Sequence, residues 1–281
     1  MITIGKTHKL KAIKKLDFGV YLDAENLYEV LLPKRYVPRE LEMGDEIEVF
    51  LYLDSEDRPV ATTEIPKVQL GEFSYLPVVD VNNTGAFLDW GLAKDLFVPY
   101  GEQHRPMEVG RSYIVYVYLD KIKGRLTASS KIDKFLDDDK PHDFVPQQAV
   151  KLLIANSTDL GFKAIINNSH WGVLYKDEVH QRLSFGQSID GFIKNIRPDG
   201  KIDLSLRQGG QETRDKDEKL ILDYLKQQPQ GFAQIHDKTE PKVISDLFGI
   251  SKKAFKRALS SLYKQKIINI EKDGINLTKN R

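Results

Sequence analysis

The sequence predicts a mainly β chain with a C-terminal α/β part: three small five-stranded barrels in tandem, then a compact helical domain closed by a hairpin. Three observations predict it. A pair of glycines recurs three times at one spacing. The segments around those glycines alternate with the period of a strand. Near residue 210 the period lengthens to that of a helix.

The glycines are Gly19 and Gly44, Gly85 and Gly110, and Gly161 and Gly186, 25 residues apart in every case. Sixteen residues beyond the second glycine an apolar residue opens a short strand: Val60, Leu126 or Ile202. Chance supplies one such match readily, but not the same two spacings three times. Within the units Ile47, Val49, Leu51 and Leu53 alternate with polar or exposed positions. Ile114, Tyr116 and Tyr118 alternate with Val115, Val117 and Leu119, so both faces of that strand are apolar or aromatic. Pro198-Asp199-Gly200 signals a tight turn between strands. Five short strands in about 65 residues is the size of an OB-type barrel, closed or nearly closed.

Gly209-Gly210-Gln211 reads as a linker, after which Leu220, Ile221, Tyr224 and Leu225 recur at helical spacing. Pro241 suits the start of a second helix whose apolar residues are Val243, Ile244, Leu247 and Phe248, and Gly249 suits its end. Ser251 can cap a third helix whose inner face is Phe255, Leu259, Leu262 and Tyr263. Ile267, Ile268 and Ile270, a turn at Asp273-Gly274, then Ile275 and Leu277 form a hairpin. Three helices and a terminal hairpin make a winged helix, with Ser251 to Gln265 as its recognition helix by position.

The repeat pattern, Gly-small-aromatic-apolar, then Gly-Asp/Gln-x-Ile, then a short strand ending in Ser or Thr, resembles the S1 RNA-binding domain. Three such repeats before a basic helical tail are similar to the CvfB/YitL family (conserved virulence factor B). The tail stretch Asp246-Leu247-Phe248-Gly249-Ile250-Ser251-Lys252-Lys253-Ala254-Phe255-Lys256-Arg257-Ala258-Leu259 is the most specific part of that resemblance. The expected division is OB-fold (S1-type) barrels at 1–68, 69–144 and 145–210, with the winged helix at 211–281.

The resemblance also implies a binding set. It comprises an aromatic before the first glycine, another two residues after it, and a polar residue, an Asp and an Arg around the last turn. Repeat 1 supplies Phe18, Tyr21, Asp54 and Arg58. Repeat 2 supplies Phe87, Asp120 and Arg125, with Thr84 in place of the first aromatic. Repeat 3 departs most: Leu160 and Lys163 replace the two aromatics, Phe162 is one position off, and Tyr175 and Lys201 stand as substitutes. The histidine usual on the third strand falls at Pro33, Pro99 and Tyr175, so that contact is absent. The competing reading of Phe18, Tyr21 and Phe87 is barrel core. Alternation, however, sends Tyr21 and Phe87 opposite to Leu22 and Leu88. Trp171 reads as structural, and Asp54 and Asp120 read equally as turn formers.

Charge is uneven although the whole chain carries only +1. Residues 1–70, 71–145, 146–211 and 212–281 carry −3, −3, +2 and +5, so phosphate binding is expected toward the C-terminal half. Lys252, Lys253, Lys256 and Arg257 lie largely off the apolar stripe of their helix, either as phosphate contacts or as a solvated face.

The chain has no cysteine, which excludes disulfides, thiolate catalysis and cysteine-ligated zinc. The six histidines form no pair at metal-ligand spacing, and neither a Walker loop nor a Gly-x-Ser-x-Gly elbow occurs. Asp137-Asp138-Asp139 reads as an inter-repeat linker rather than a metal site. The N-terminus lacks the apolar core of a signal peptide, and no run reaches the roughly 18 apolar residues of a membrane span.

The expectation is a non-catalytic, cytoplasmic, monomeric protein that needs no cofactor or metal, binds single-stranded RNA and acts in post-transcriptional regulation. The alternatives are a winged-helix DNA-binding transcription regulator, and an interaction scaffold on the ribosome or an RNA-processing nuclease.

Overall fold

A computed structural model describes residues 1–120, 124–136, 141–179, 181–208 and 211–278. The linkers expected at Asp137-Asp138-Asp139 and Gly209-Gly210, and His180, lie outside these. The chain divides into two compact units, Met1–Asp137 and Asp138–Arg281.

The first unit holds two repeats. In the first, β1 (Thr7–Leu16), β2 (Gly19–Asp23), β3 (Glu29–Pro33), β4 (Glu46–Leu53) and β5 (Pro59–Thr62) close a barrel in the order β1-β2-β3-β5-β4. A parallel pairing of Leu31 with Val60 makes the closure. The second repeat has β6 (Phe73–Val81), β7 (Gly85–Leu88), β8 (Leu96–Pro99), β9 (Ser112–Leu119) and β10 (Leu126–Ser129). Its ladder runs β10-β9-β6-β7-β8, and β8 and β10 lie side by side without ladder pairing.

In the second unit, β11 (Ala149–Ser157), β12 (Gly161–Ile166), β13 (His170–Tyr175), β14 (Ser188–Ile196) and β15 (Ile202–Ser205) close a barrel again. Gly172, Val173 and Leu174 pair in parallel with Ile202, Asp203 and Leu204.

The repeated glycines do two jobs. A Cβ on Gly19, Gly85 or Gly161 would stand 2.3, 2.3 or 2.0 Å from the carbonyl oxygen of Leu32, Val98 or Leu174 on the next strand. Only glycine lets the strands meet there. Gly44, Gly110 and Gly186 have φ of +101°, +81° and +78°, the left-handed region that glycine enters freely. Each donates its N–H to the first strand at Ala12, Val78 or Ile154, over 2.8, 2.9 and 2.8 Å. A bulge begins at those same three residues. One glycine therefore sets a close strand crossing and the other fixes the bend of the long first strand.

The barrels of the first unit are not separate beads. Phe50, Tyr52, Val60 and Val68 are buried in one apolar cluster with Trp90, Leu76, Leu88 and Val115 of the second repeat. Phe50 meets Trp90 edge to face at 5.6 Å. The outer aromatics of β9 are covered in turn: Phe135 stacks on Tyr116 at 4.2 Å and on Tyr118 at 5.6 Å.

The C-terminal domain follows the predicted order: α1 (Gln211–Gln227), β16 (Phe232–Ala233), α2 (Pro241–Phe248), α3 (Lys252–Lys264), β17 (Ile268–Ile270) and β18 (Ile275–Leu277). Pro241 opens α2, Gly249 ends it at φ +60°, and the Ser251 hydroxyl caps α3 by accepting from the Ala254 N–H at 3.1 Å. Ile221, Leu225, Ile244, Phe248, Phe255, Leu259, Leu262, Ile268 and Ile275 form the core. Tyr263, expected on an inner face, is exposed by 54% instead, and the apolar Leu220 and Leu247 are exposed by 43% and Val243 by 41%. In so small a domain each helix buries only a narrow stripe. Each of the four is the immediate sequence neighbour of a buried residue, about 100° around the helix. Asp217 of α1, itself buried, accepts from Arg207 at 2.9 Å, and Arg207 also donates to the Gly249 carbonyl at 2.7 Å. That guanidinium ties the segment after β15 to two helices.

Candidate nucleic-acid interface

The outer faces of the strands carry the candidate side chains, because alternation turns every second residue away from the core. In the first barrel Phe18 is 54% exposed and Tyr21 half-buried, while Leu22 is fully buried. The two rings meet edge to face at 6.4 Å, and the Lys14 ammonium lies 5.8 Å from the Tyr21 centroid. A base could stack there and be followed by a phosphate at Lys14.

Asp54 and Arg58 pair with each other. The Asp54 carboxylate accepts the backbone N–H groups of Glu56 and Arg58 at 2.9 and 3.0 Å and the Arg58 guanidinium at 2.9 and 2.7 Å. Burial raises its pKa, but these hydrogen bonds outweigh it and hold the carboxyl below the usual range. The pair builds the β4–β5 turn.

That turn docks on the second repeat. The Lys94 ammonium donates to the Leu53 and Asp54 carbonyls at 2.9 and 2.7 Å, and Arg125 pairs with Asp57. Burial lowers the Lys94 pKa, with the nearby carboxylates opposing it. Beside these contacts lies a cleft of about 810 Å³. Phe87, Phe97, Trp90, Asp120, Arg125 and Tyr52 are among its lining residues. Phe87 and Phe97 face each other in register with centroids 5.2 Å apart. Burial, then Asp89 and Asp80, raises the pKa of Asp95 at its rim.

In the third barrel Lys163, Val173 and Asp203 are cross-strand partners and so share one outer row, with Trp171 and Tyr175 two residues to either side of Val173. The Lys163 ammonium sits 3.9 Å over the Trp171 ring, which is half-buried and outward. Arg197 donates to Asp203 at 2.9 and 2.8 Å and lies 5.7 Å from the Tyr175 centroid. The Tyr175 hydroxyl reaches the same carboxylate at 3.4 Å. Phe162 turns inward against the core. Lys201 pairs with Asp199 in the turn, at 3.3 Å.

Lys253, Lys256 and Arg257 are exposed and Lys252 is partly so. They line one open groove with Arg214 of α1, Glu218 and Lys264. Lys252 donates to the Lys238 carbonyl at 3.3 Å, and Lys256 stands 4.0 Å from Asp237. Sequence reasoning missed Arg214, Lys264, Lys94, Phe97 and Arg197. Lys264 alone had a signal, since it continues the stripe of Lys253, Arg257 and Ser260 at helical spacing.

Residues 4–64 and 70–131 match the S1 domain family, and residues 219–277 match the CvfB-like winged helix domain. Protein YitL of Bacillus subtilis (strain 168) is 30% identical over 278 residues, covering 92% of this chain and 89% of its own. The chain belongs to the CvfB/YitL family. Conserved virulence factor B of Staphylococcus epidermidis is 27% identical over 254 residues, covering 85% of this chain and 82% of its own. A solved multidomain protein with nucleic acid binding domains from Streptococcus pneumoniae aligns over 98% of both chains at 22% identity and a TM-score of 0.41. The family's S1 domains and winged helix suggest nucleic-acid binding. Among the described residues no helix is long and apolar enough to cross a membrane.

Proposed function

We propose that this member of the CvfB/YitL family is a non-catalytic binder of single-stranded RNA that acts in post-transcriptional regulation in the cytoplasm. One observation carries the reading. The first turn of α3 holds Lys252 and Lys253 with no acid, and Lys256 and Arg257 follow. Cations at this end oppose the helix dipole, where a merely solvated face favours acids. Such an arrangement is stabilised by an incoming phosphate, which the same dipole attracts. The face offers mostly ammonium groups, suited to phosphates rather than to base edges. Outward rings beside cations, Trp171 with Lys163 and Tyr21 with Lys14, fit bases stacked in any sequence.

Titration of the chain with unstructured RNA, single-stranded DNA and duplex DNA at two salt concentrations tests this. Single-stranded RNA binds tightest, and a duplex that binds more tightly at matched salt refutes it. Residues 146–281 alone keep most of the affinity and residues 1–145 alone bind weakly, following the charge of the segments. Comparable affinity of the two fragments would show that aromatic faces, not charge, govern binding. Leucine at Tyr21 and Phe87 removes the smaller share of the affinity that the first two repeats carry, with an unchanged salt slope, because stacking of about 1–3 kcal/mol per base releases few counterions. A change in slope, or unfolding of the variant, would contradict the stacking role.

A further inference from the structure

We propose that the first two repeats share one composite cleft that takes a single nucleotide of a single strand. The base lies against Phe87 and Phe97, the phosphate stays at the rim by Arg125, and the β4–β5 turn of the first barrel is the second wall. This rests on the single-strand reading above and adds to it a place, a stoichiometry and a second wall.

The cleft lies where β8 and β10 run side by side without ladder pairing, lined by Leu96, Phe97 and Pro99 of the one and Leu126 and Thr127 of the other. The other two repeats close that position with a parallel pairing. At about 810 Å³ it lies within the range of small-molecule sites, so it has room for a nucleotide. Its apolar surface is aromatic, from Phe87, Phe97, Trp90 and Tyr52.

Tyr52 and Leu53 belong to the first barrel, and three contacts hold them in place. Lys94 grips the Leu53 and Asp54 carbonyls, Arg125 pairs with Asp57, and Phe50 packs on Trp90.

Charge sets the stoichiometry. Among the described residues Lys94 and Arg125 are the cations lining the cleft, Asp95 and Asp120 line it too, and each of the first two segments carries −3. A strand laid along this surface meets repulsion over most of its length. One base turned inward, with its phosphate beside Arg125, meets the least.

The test uses the full chain and an unstructured RNA dodecamer carrying one 4-thiouridine, cross-linked by light and mapped by peptide mass spectrometry. The expected result is adducts on both walls, at Phe87 or Phe97 and at Tyr52 or Leu53. Leu53→Trp, which fills the cleft from the first barrel, and Ala93→Trp, which fills it from the second, each reduce these adducts at least tenfold. Adducts on α3 persist in both.

Adducts confined to the second repeat and indifferent to Leu53→Trp overturn the composite cleft, as do adducts at Phe18 and Tyr21 in its place. If either variant melts early, the wild-type adducts and the other variant decide. A chain that binds RNA without cleft adducts loses only this proposal. A chain that binds no single strand loses the single-strand reading as well.

Discussion

Alanine at Lys252, Lys253, Lys256 and Arg257 together will weaken RNA binding on the order of 100-fold at low salt and flatten its salt dependence. Each lost phosphate contact lowers the slope of log K against log salt by roughly 0.7 on a single strand, so four lower it by about 3. The fold survives, because the packing of α3 comes from Ala254, Phe255, Ala258, Leu259 and Leu262 on the other face. Stability should even hold or rise. Removing a cation near a helix N-terminus relieves about 0.3–1 kcal/mol of dipole repulsion. Anisotropy titrations at several salt concentrations, with a thermal melt of each protein, read both quantities. Unchanged affinity and slope would make the groove a solvated or protein-docking face. A large drop in melting temperature would mean that the charges serve the fold.

Gly161→Ala will unfold the third barrel at much lower temperature. The added Cβ meets the Leu174 carbonyl oxygen at 2.0 Å, and the obstacle is backbone of the paired strand, not a side chain that can swing away. Overpacking of this kind costs about 1–3 kcal/mol or more. At roughly 4–8 °C per kcal/mol for a domain of this size, the melting temperature of this barrel falls by about 4 to 24 °C. Gly44→Ala is the comparison. Nothing lies within 4 Å of its Cβ, so only the φ of +101° opposes the change, and the loss is smaller. Calorimetry on the two variants ranks them. Equal melting of Gly161→Ala and wild type would mean that the strands can part there without cost.

Much of the architecture is legible in the sequence because it depends on local rules. The two glycine spacings mark the crossing and the bend, Ser251 and Gly249 mark helix ends, and alternation rightly turns Tyr21 and Phe87 outward. What is illegible is what covers an outward residue. Asp54 and Arg58 satisfy the expected pattern, yet a neighbouring repeat occupies their turn. Tyr116 and Tyr118 look like a second aromatic face until Phe135 is seen stacked on both. Trp171 reads as structural, and nothing local shows that its outward ring lies under the Lys163 ammonium of the next strand. Lys94 has no signal at all. It lies in an irregular loop, and its partners are carbonyls 40 and 41 residues earlier in the chain.

The packing of Phe50 on Trp90 has a consequence for how the protein responds to heat, force or proteases. Val68, where the sequence suggests one repeat ends and the next begins, is 2% exposed and belongs to the cluster both repeats share. A cut there would leave an indole and several aliphatic side chains facing water on one fragment and a phenyl ring on the other. The first two repeats therefore behave as one cooperative object of about twice the usual barrel size, with a single melting event and no hinge between them. The two repeats follow one pattern, but their shared core means they are not interchangeable parts.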